Sequence, residues 1–202
     1  MLISIFKLYL FFNKHFTEII NSNNMEQNVN VWKANLTSGL ILGLVGIVFT
    51  LVVYFMDLSF NKNVGYIFIV LSIFIIYFFV KAYRDNYLHG IMTYGQALGA
   101  GIIIYLYYAV IGAIFMYILY KFIDTGLTGK LLAFVEDQML KSGKVPADAM
   151  DTAMAFQKKI MIPEIMAPFS LLANMFYGTV IALIVGIFLR KEGNPLIDTP
   201  EN

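Results

Sequence analysis

The chain contains no cysteine, which removes disulfides, thiolate metal ligands and cysteine nucleophiles from consideration together. Histidine is nearly as scarce. Its two copies, His15 and His89, lie far apart in sequence, so a histidine-built metal centre is not expected and no metal or other cofactor is assigned. Charge is scarce as well: Asp, Glu, Lys and Arg make up 13% of the chain against 59% hydrophobic residues, where a soluble globular domain carries roughly 25% charged residues. With a formal net charge of +1 there is no basic field to attract a polyanion, which argues against a nucleic-acid partner.

What the sequence has in abundance is apolar length. Mean hydropathy is +0.74, and four apolar runs fall at roughly 36–56, 64–80, 97–120 and 169–189. Each is near the ~20 residues that cross ~30 Å of hydrocarbon at ~1.5 Å per residue. Their unbroken apolarity favours helices over the alternating pattern of barrel strands. The expectation is an all-α integral membrane fold with four transmembrane helices at 25–190, preceded by a leader at 1–24 and followed by a short polar tail at 191–202.

The leader, "MLISIFKLYLFFNKHFTEIINSNN", is interrupted by Lys7 and shows no small-x-small cleavage pattern, so a signal peptide fits poorly. Two readings stay open: an interfacial segment lying on the membrane, or a mis-assigned extension with translation starting at Met25. In the long third connection, "KLLAFVEDQML" and "PADAMDTAMAFQKKI" each carry helical periodicity and predict an amphipathic helical hairpin. It either caps the bundle or offers adaptable Met side chains to a partner.

Lys33, Lys81, Arg84, Arg190 and Lys191 fall near helix ends on one side, and Lys62, Lys121, Lys158 and Lys159 on the other. Both arginines lie on the first side, and acidic residues offset the lysines of the long connection. This bias places both termini in the cytoplasm.

Deep ionisable residues are the usual mark of chemistry inside a membrane, because each costs ~2.5–3.5 kcal/mol or more. None is expected here. Small residues one turn apart are the better signal: Gly39 and Gly43, Gly95 and Gly99, and Gly178, Ala182 and Gly186 would let helix backbones approach closely, within the chain or between copies. Asn174 is assigned a helix-to-helix hydrogen bond on the same grounds.

The stretch "YRDNYLHGIMTYGQALGAG" at 83–101 holds the remaining candidates. Lys81 and Arg84 share a helical face, and with Tyr83 and Tyr87 they suit an interfacial anchor that contacts lipid phosphate. Asp85 and His89 stand four apart and could form an acid–base pair, but no nucleophile, second carboxylate or phosphate-cradling loop accompanies them.

The same stretch carries a resemblance. A basic-aromatic helix end, an Arg with a nearby Asn, then Gly, "TYGQA" and closely spaced Gly, with four crossings and a long third connection, resemble the small bacterial membrane proteins grouped as domain-of-unknown-function family 4199, over about residues 29–190. The resemblance implies a four-helix inner-membrane protein of a Gram-negative bacterium. It marks Arg84, Gly90, Gln96 and Gly99 as pattern positions and transfers no catalytic residue. The function expected is a non-enzymatic accessory or assembly protein, with membrane lipid and either a protein partner or a second copy as its contacts. The alternatives are an oligomeric small-solute transporter or channel subunit and, less favoured, a lipid-modifying enzyme using Arg84, Asp85 and His89.

Overall fold

The computed structural model describes residues 30–191. The leader at 1–24, the start at Met25 and the tail at 192–202 lie outside the described residues. Four long helices, α1 (Val31–Phe55), α2 (Lys62–Tyr87), α3 (Tyr94–Ile118) and α6 (Pro163–Leu189), form the body of the fold. Each is long and apolar enough to span a membrane. Between α3 and α6 the chain passes through a π-helical turn (Leu119–Ile123), then α4 (Leu127–Ser142), a 3-10 turn (Ala147–Ala149) and α5 (Met150–Ile160). Among the described residues there is no strand, only an isolated antiparallel bridge between Met92 and Lys191.

Local chemistry sets the helix ends. Asn30 and Asn61 sit extended ahead of α1 and α2, and their side chains accept from the backbone N–H of Trp32 and Asn63, each satisfying one of the orphan donors of a first turn. Pro163 opens α6, where a missing N–H costs nothing. Gly143 closes α4 in the left-handed conformation, φ 62°, which a residue without Cβ adopts freely.

The helices outrun the apolar runs of the sequence. α2 continues past Val80 to Tyr87, and α6 begins at Pro163 with Pro168 inside it. Hydropathy detects only what crosses hydrocarbon, whereas a helix continues into polar surroundings until a cap or turn stops it.

Helix α3 is central. It packs most extensively against α6, next against α1 and only lightly against α2. The close approaches are made by glycines. A Cβ added at Gly39 would lie 2.5 Å from Tyr107, at Gly43 2.6 Å from Ile111, at Gly46 2.6 Å from Tyr108, and at Gly101 2.7 Å from Ala182, while one at Gly178 would overlap the Tyr105 ring. Leu42, Ile76, Val80, Ile104 and Leu189 fill the core between these contacts. The outer surface is also apolar, with Leu44, Val48, Phe74, Ile114, Phe176 and Phe188 all exposed.

Candidate functional site

The stretch at 83–101 becomes the junction between α2, α3 and the end of α6. Tyr83 is 6% exposed and belongs to the core cluster, with its ring 5.8 Å from Tyr87. It is thus packed inside the bundle rather than turned out as an anchor. The Arg84 side chain is only 16% exposed: its Nε donates to Asp85 at 2.8 Å and its Nη1 lies 3.5 Å from the Leu189 carbonyl. That places a cation at the C-terminal end of α6, where the helix dipole favours one. Lys81 stays exposed.

The pattern positions that follow also have structural partners. The Arg84 carbonyl accepts from the N–H of Leu88 and of Gly90, and Gly90 sits at φ +83°, a conformation that needs no Cβ. Gln96 forms a reciprocal capping box with Thr93: Thr93 N–H donates to Gln96 Oε1 at 2.9 Å, and Gln96 N–H to Thr93 Oγ1 at 3.3 Å. Met92 and Lys191 exchange backbone hydrogen bonds of 2.8 Å, tying the turn to the chain end after α6. The acid–base pairing considered for Asp85 and His89 is not formed. Asp85 pairs with Arg84, and His89, at φ 53°, starts the turn.

The small-residue steps divide. Gly39, Gly43, Gly178, Ala182 and Gly186 all face close neighbours, Gly186 lying against Tyr94. A Cβ at Gly95 or Gly99 would meet nothing within 4 Å, so those two face away from the described residues. Asn174 does not reach another helix. Its Nδ2 donates to the Ser170 carbonyl at 2.8 Å, one turn back in α6.

Interhelical hydrogen bonds lie elsewhere: Tyr105 OH donates to Ser72 Oγ at 2.8 Å, and Ser72 in turn donates to the Ile69 carbonyl, while Tyr94 OH donates to the Leu183 carbonyl and Tyr107 OH to the Trp32 carbonyl, each at 3.3 Å. Asn35, fully buried, donates to the Val31 carbonyl at 2.9 Å, while its Oδ1 has no hydrogen-bond partner. No group of three or more His, Cys, Asp or Glu residues is placed to hold a metal ion among the described residues.

At the opposite end of the bundle the polar groups surround open space. Asp124 ends the π-helical turn, accepts from Tyr54 OH at 3.1 Å and Gly126 N–H at 2.9 Å, and is ion-paired with Lys130 Nζ at 3.6 Å. It thereby ties α1 to the start of α4. Beside it, Lys121 and Glu164 pair between the end of the third span and the start of α6, and Phe134 of α4 stacks on Phe60 at 5.5 Å. Beneath this bracing lies a cleft of about 430 Å³ walled by Phe49, Val53, Val64, Leu119, Tyr120 and Phe134. A smaller recess of about 220 Å³ adjoins it and shares Tyr54, Ser59, Phe60 and Leu127 with it. Asp57 and Lys130 line this recess but not the larger cleft.

Sequence reasoning overlooked this end because Asp124 and Tyr54 stand 70 residues apart. The one local sign was "DTG", since an Asp two residues before a Gly is the pattern of a side chain folding back onto the backbone N–H.

Comparison with protein families matches residues 37–191 to the model described as "Protein of unknown function (DUF4199)". No curated protein and no solved structure matches the chain.

Proposed function

The chain belongs to the DUF4199 family of proteins of unknown function, and we propose that it is a multi-pass accessory or assembly protein of the bacterial inner membrane, with both termini in the cytoplasm. The observation that carries this reading is the inversion of its surface. The four long helices are apolar on the outside, while inside them small residues receive large ones. In water an apolar belt of that extent would drive aggregation. In hydrocarbon it is the lipid-facing side, and close backbone approach is what holds the helices together.

The polar groups support a structural role. Thr50, Asn174 and Thr179 each bond a carbonyl of their own helix, Tyr105 and Ser72 join two helices, and Arg84 and Gln96 fix the α2–α3 turn. The orientation rests on the Lys and Arg bias, with Lys33, Lys81, Arg84, Arg190 and Lys191 at one end of the bundle. The α4–α5 hairpin is then extracytoplasmic, seated over the far end, and a protein partner or second copy meets the bundle along α3 at Gly95 and Gly99.

The test is purification of the full-length chain in mild detergent, followed by identification of bound proteins and by flux measurements in vesicles containing the chain alone. A stoichiometric partner is the expected result. Solute flux through those vesicles would overturn the reading in favour of a transport subunit.

A further inference from the structure

The far-end cleft and its recess are adjoining compartments of different chemistry. The wall of the larger is built by the last turns of α1 (Phe49, Val53), the first turns of α2 (Val64, Gly65) and the end of the third span (Leu119, Tyr120). It thus lies where the spans meet their polar connections, which in the membrane placement proposed above is the depth where acyl chains give way to headgroups. Its volume is within the range of a small-molecule site. The neighbouring recess carries opposite charges on its lining, Asp57 and Lys130. Asp57 has no ion-pair partner among the described residues, and Lys130, 56% exposed, reaches Asp124 only at 3.6 Å.

From this pairing we infer that the far end binds one phospholipid with a zwitterionic phosphate–ammonium headgroup. An acyl chain lies in the larger cleft, Lys130 receives the phosphate and Asp57 the ammonium. The lining charges are complementary in kind to those of the headgroup, with Asp124 remaining beside Lys130, and the acyl chain and headgroup match the two compartments in polarity. Gly65 offers a direct handle, because it lines the cleft and a Cβ there would meet nothing within 4 Å. A side chain at 65 therefore starts from open space beside the cleft. The inference rests on the membrane placement argued above and not on the accessory role.

The test uses the full-length chain reconstituted in lipid discs with phosphatidylethanolamine or phosphatidylglycerol, each carrying a photoactivatable group in one acyl chain, with crosslinks mapped by mass spectrometry. Labelling is expected to concentrate on the walls of the cleft, with phosphatidylethanolamine favoured about threefold, the scale of one exposed ion pair. Gly65→Phe should lower labelling there by about tenfold or more, as loss of the bound chain requires. Lys130→Gln should weaken both lipids about threefold through the shared phosphate, whereas Asp57→Asn, which tolerates the φ of 55° at that position, should erase the preference for phosphatidylethanolamine.

Labelling spread evenly along the apolar belt, equal labelling by the two lipids, no effect of Gly65→Phe in a folded protein, or a co-purified polypeptide crosslinked in the cleft would each overturn the inference. If Gly65→Phe is not recovered folded, the headgroup preference of the unmodified chain and of Asp57→Asn decides. A stoichiometric protein partner bound elsewhere leaves the result unaffected, so failure here is distinct from failure of the accessory reading.

Discussion

Helix α3 meets its neighbours in two different ways. Against α1 and α6 it approaches so closely that one carbon added at Gly39, Gly43 or Gly178 would run into Tyr107, Ile111 or Tyr105. Against α2 the contact is lighter, made by side chains such as Val80, 3.9 Å from the Cβ position of Gly101, and by a hydrogen bond from Tyr105 to Ser72. In the first case a glycine on one helix receives a large side chain from the other, so specificity and dispersion energy come largely from shape, with one tyrosine hydroxyl bond added on each side, Tyr107 to the Trp32 carbonyl and Tyr94 to the Leu183 carbonyl. In the second, bulky side chains fill a wider gap. The lesson is that small residues of equal spacing are not equivalent: those of α1 and α6 are occupied within the chain, while Gly95 and Gly99 of α3 are open.

The sharpest way to break this comparison is Gly178→Leu. A leucine there must displace the Tyr105 ring from a packed interface, and the cost is expected to be about 3 kcal/mol or more, at the upper end for overpacking a core. Loss of the folded species in detergent-titrated unfolding checks it. A stability unchanged from the parent would show that α6 does not sit against α3 as described.

A smaller effect isolates the end of α3 from its flanks. Thr93→Ala removes the hydroxyl that accepts from Gln96 N–H and should destabilise by about 1 kcal/mol, the usual worth of an N-cap. Thr93→Ser should recover most of it in the same unfolding assay.

Tyr105→Phe probes the α2 contact. It removes one interhelical hydrogen bond while Ser72 keeps its bond to Ile69, so the expected loss is about 0.6 kcal/mol, the average for such bonds between membrane helices. A loss as large as that of Gly178→Leu would mean that α2 is held as tightly as α6.

The smallest effect on the single chain belongs to Gly99→Leu. With nothing within 4 Å of its Cβ position, the substitution should leave monomer stability within about 0.5 kcal/mol and lower only association with a partner or second copy. Crosslinking yield in intact membranes, set beside the unfolding curve, separates the two.

Much of the fold is legible in the sequence because lipid imposes a simple rule: long apolar stretches become spanning helices and short polar connections turn them back. The four runs therefore place α1, α2, α3 and α6, although not the polar turns that extend α2 to Tyr87 and start α6 at Pro163. The candidate sites are less legible. Spacing marks Gly95 and Gly99 in the same way as Gly39 and Gly43, since it reports a helix face but not what lies opposite. It passes over Gly46 and Gly101, whose neighbours Tyr108 and Ala182 become visible only once the helices are assembled. The charge pattern suggested a lipid-facing Arg84, whereas the structure turns that side chain to Asp85 and the end of α6. Asp124 escaped notice because two of its three partners, Tyr54 and Lys130, are brought to it by folding.

The central claim is that the connection at 124–162 and the turn at 88–93 lie on opposite sides of a membrane. Because the chain has no cysteine of its own, single replacements Asn86→Cys and Lys144→Cys, both at exposed positions, report without background. With a membrane-impermeant maleimide on intact cells stripped of their outer barrier, Lys144→Cys should be labelled at once and Asn86→Cys only after permeabilisation. Labelling of both before permeabilisation, or of neither, would contradict the account. The reverse order would keep the crossings and invert the orientation.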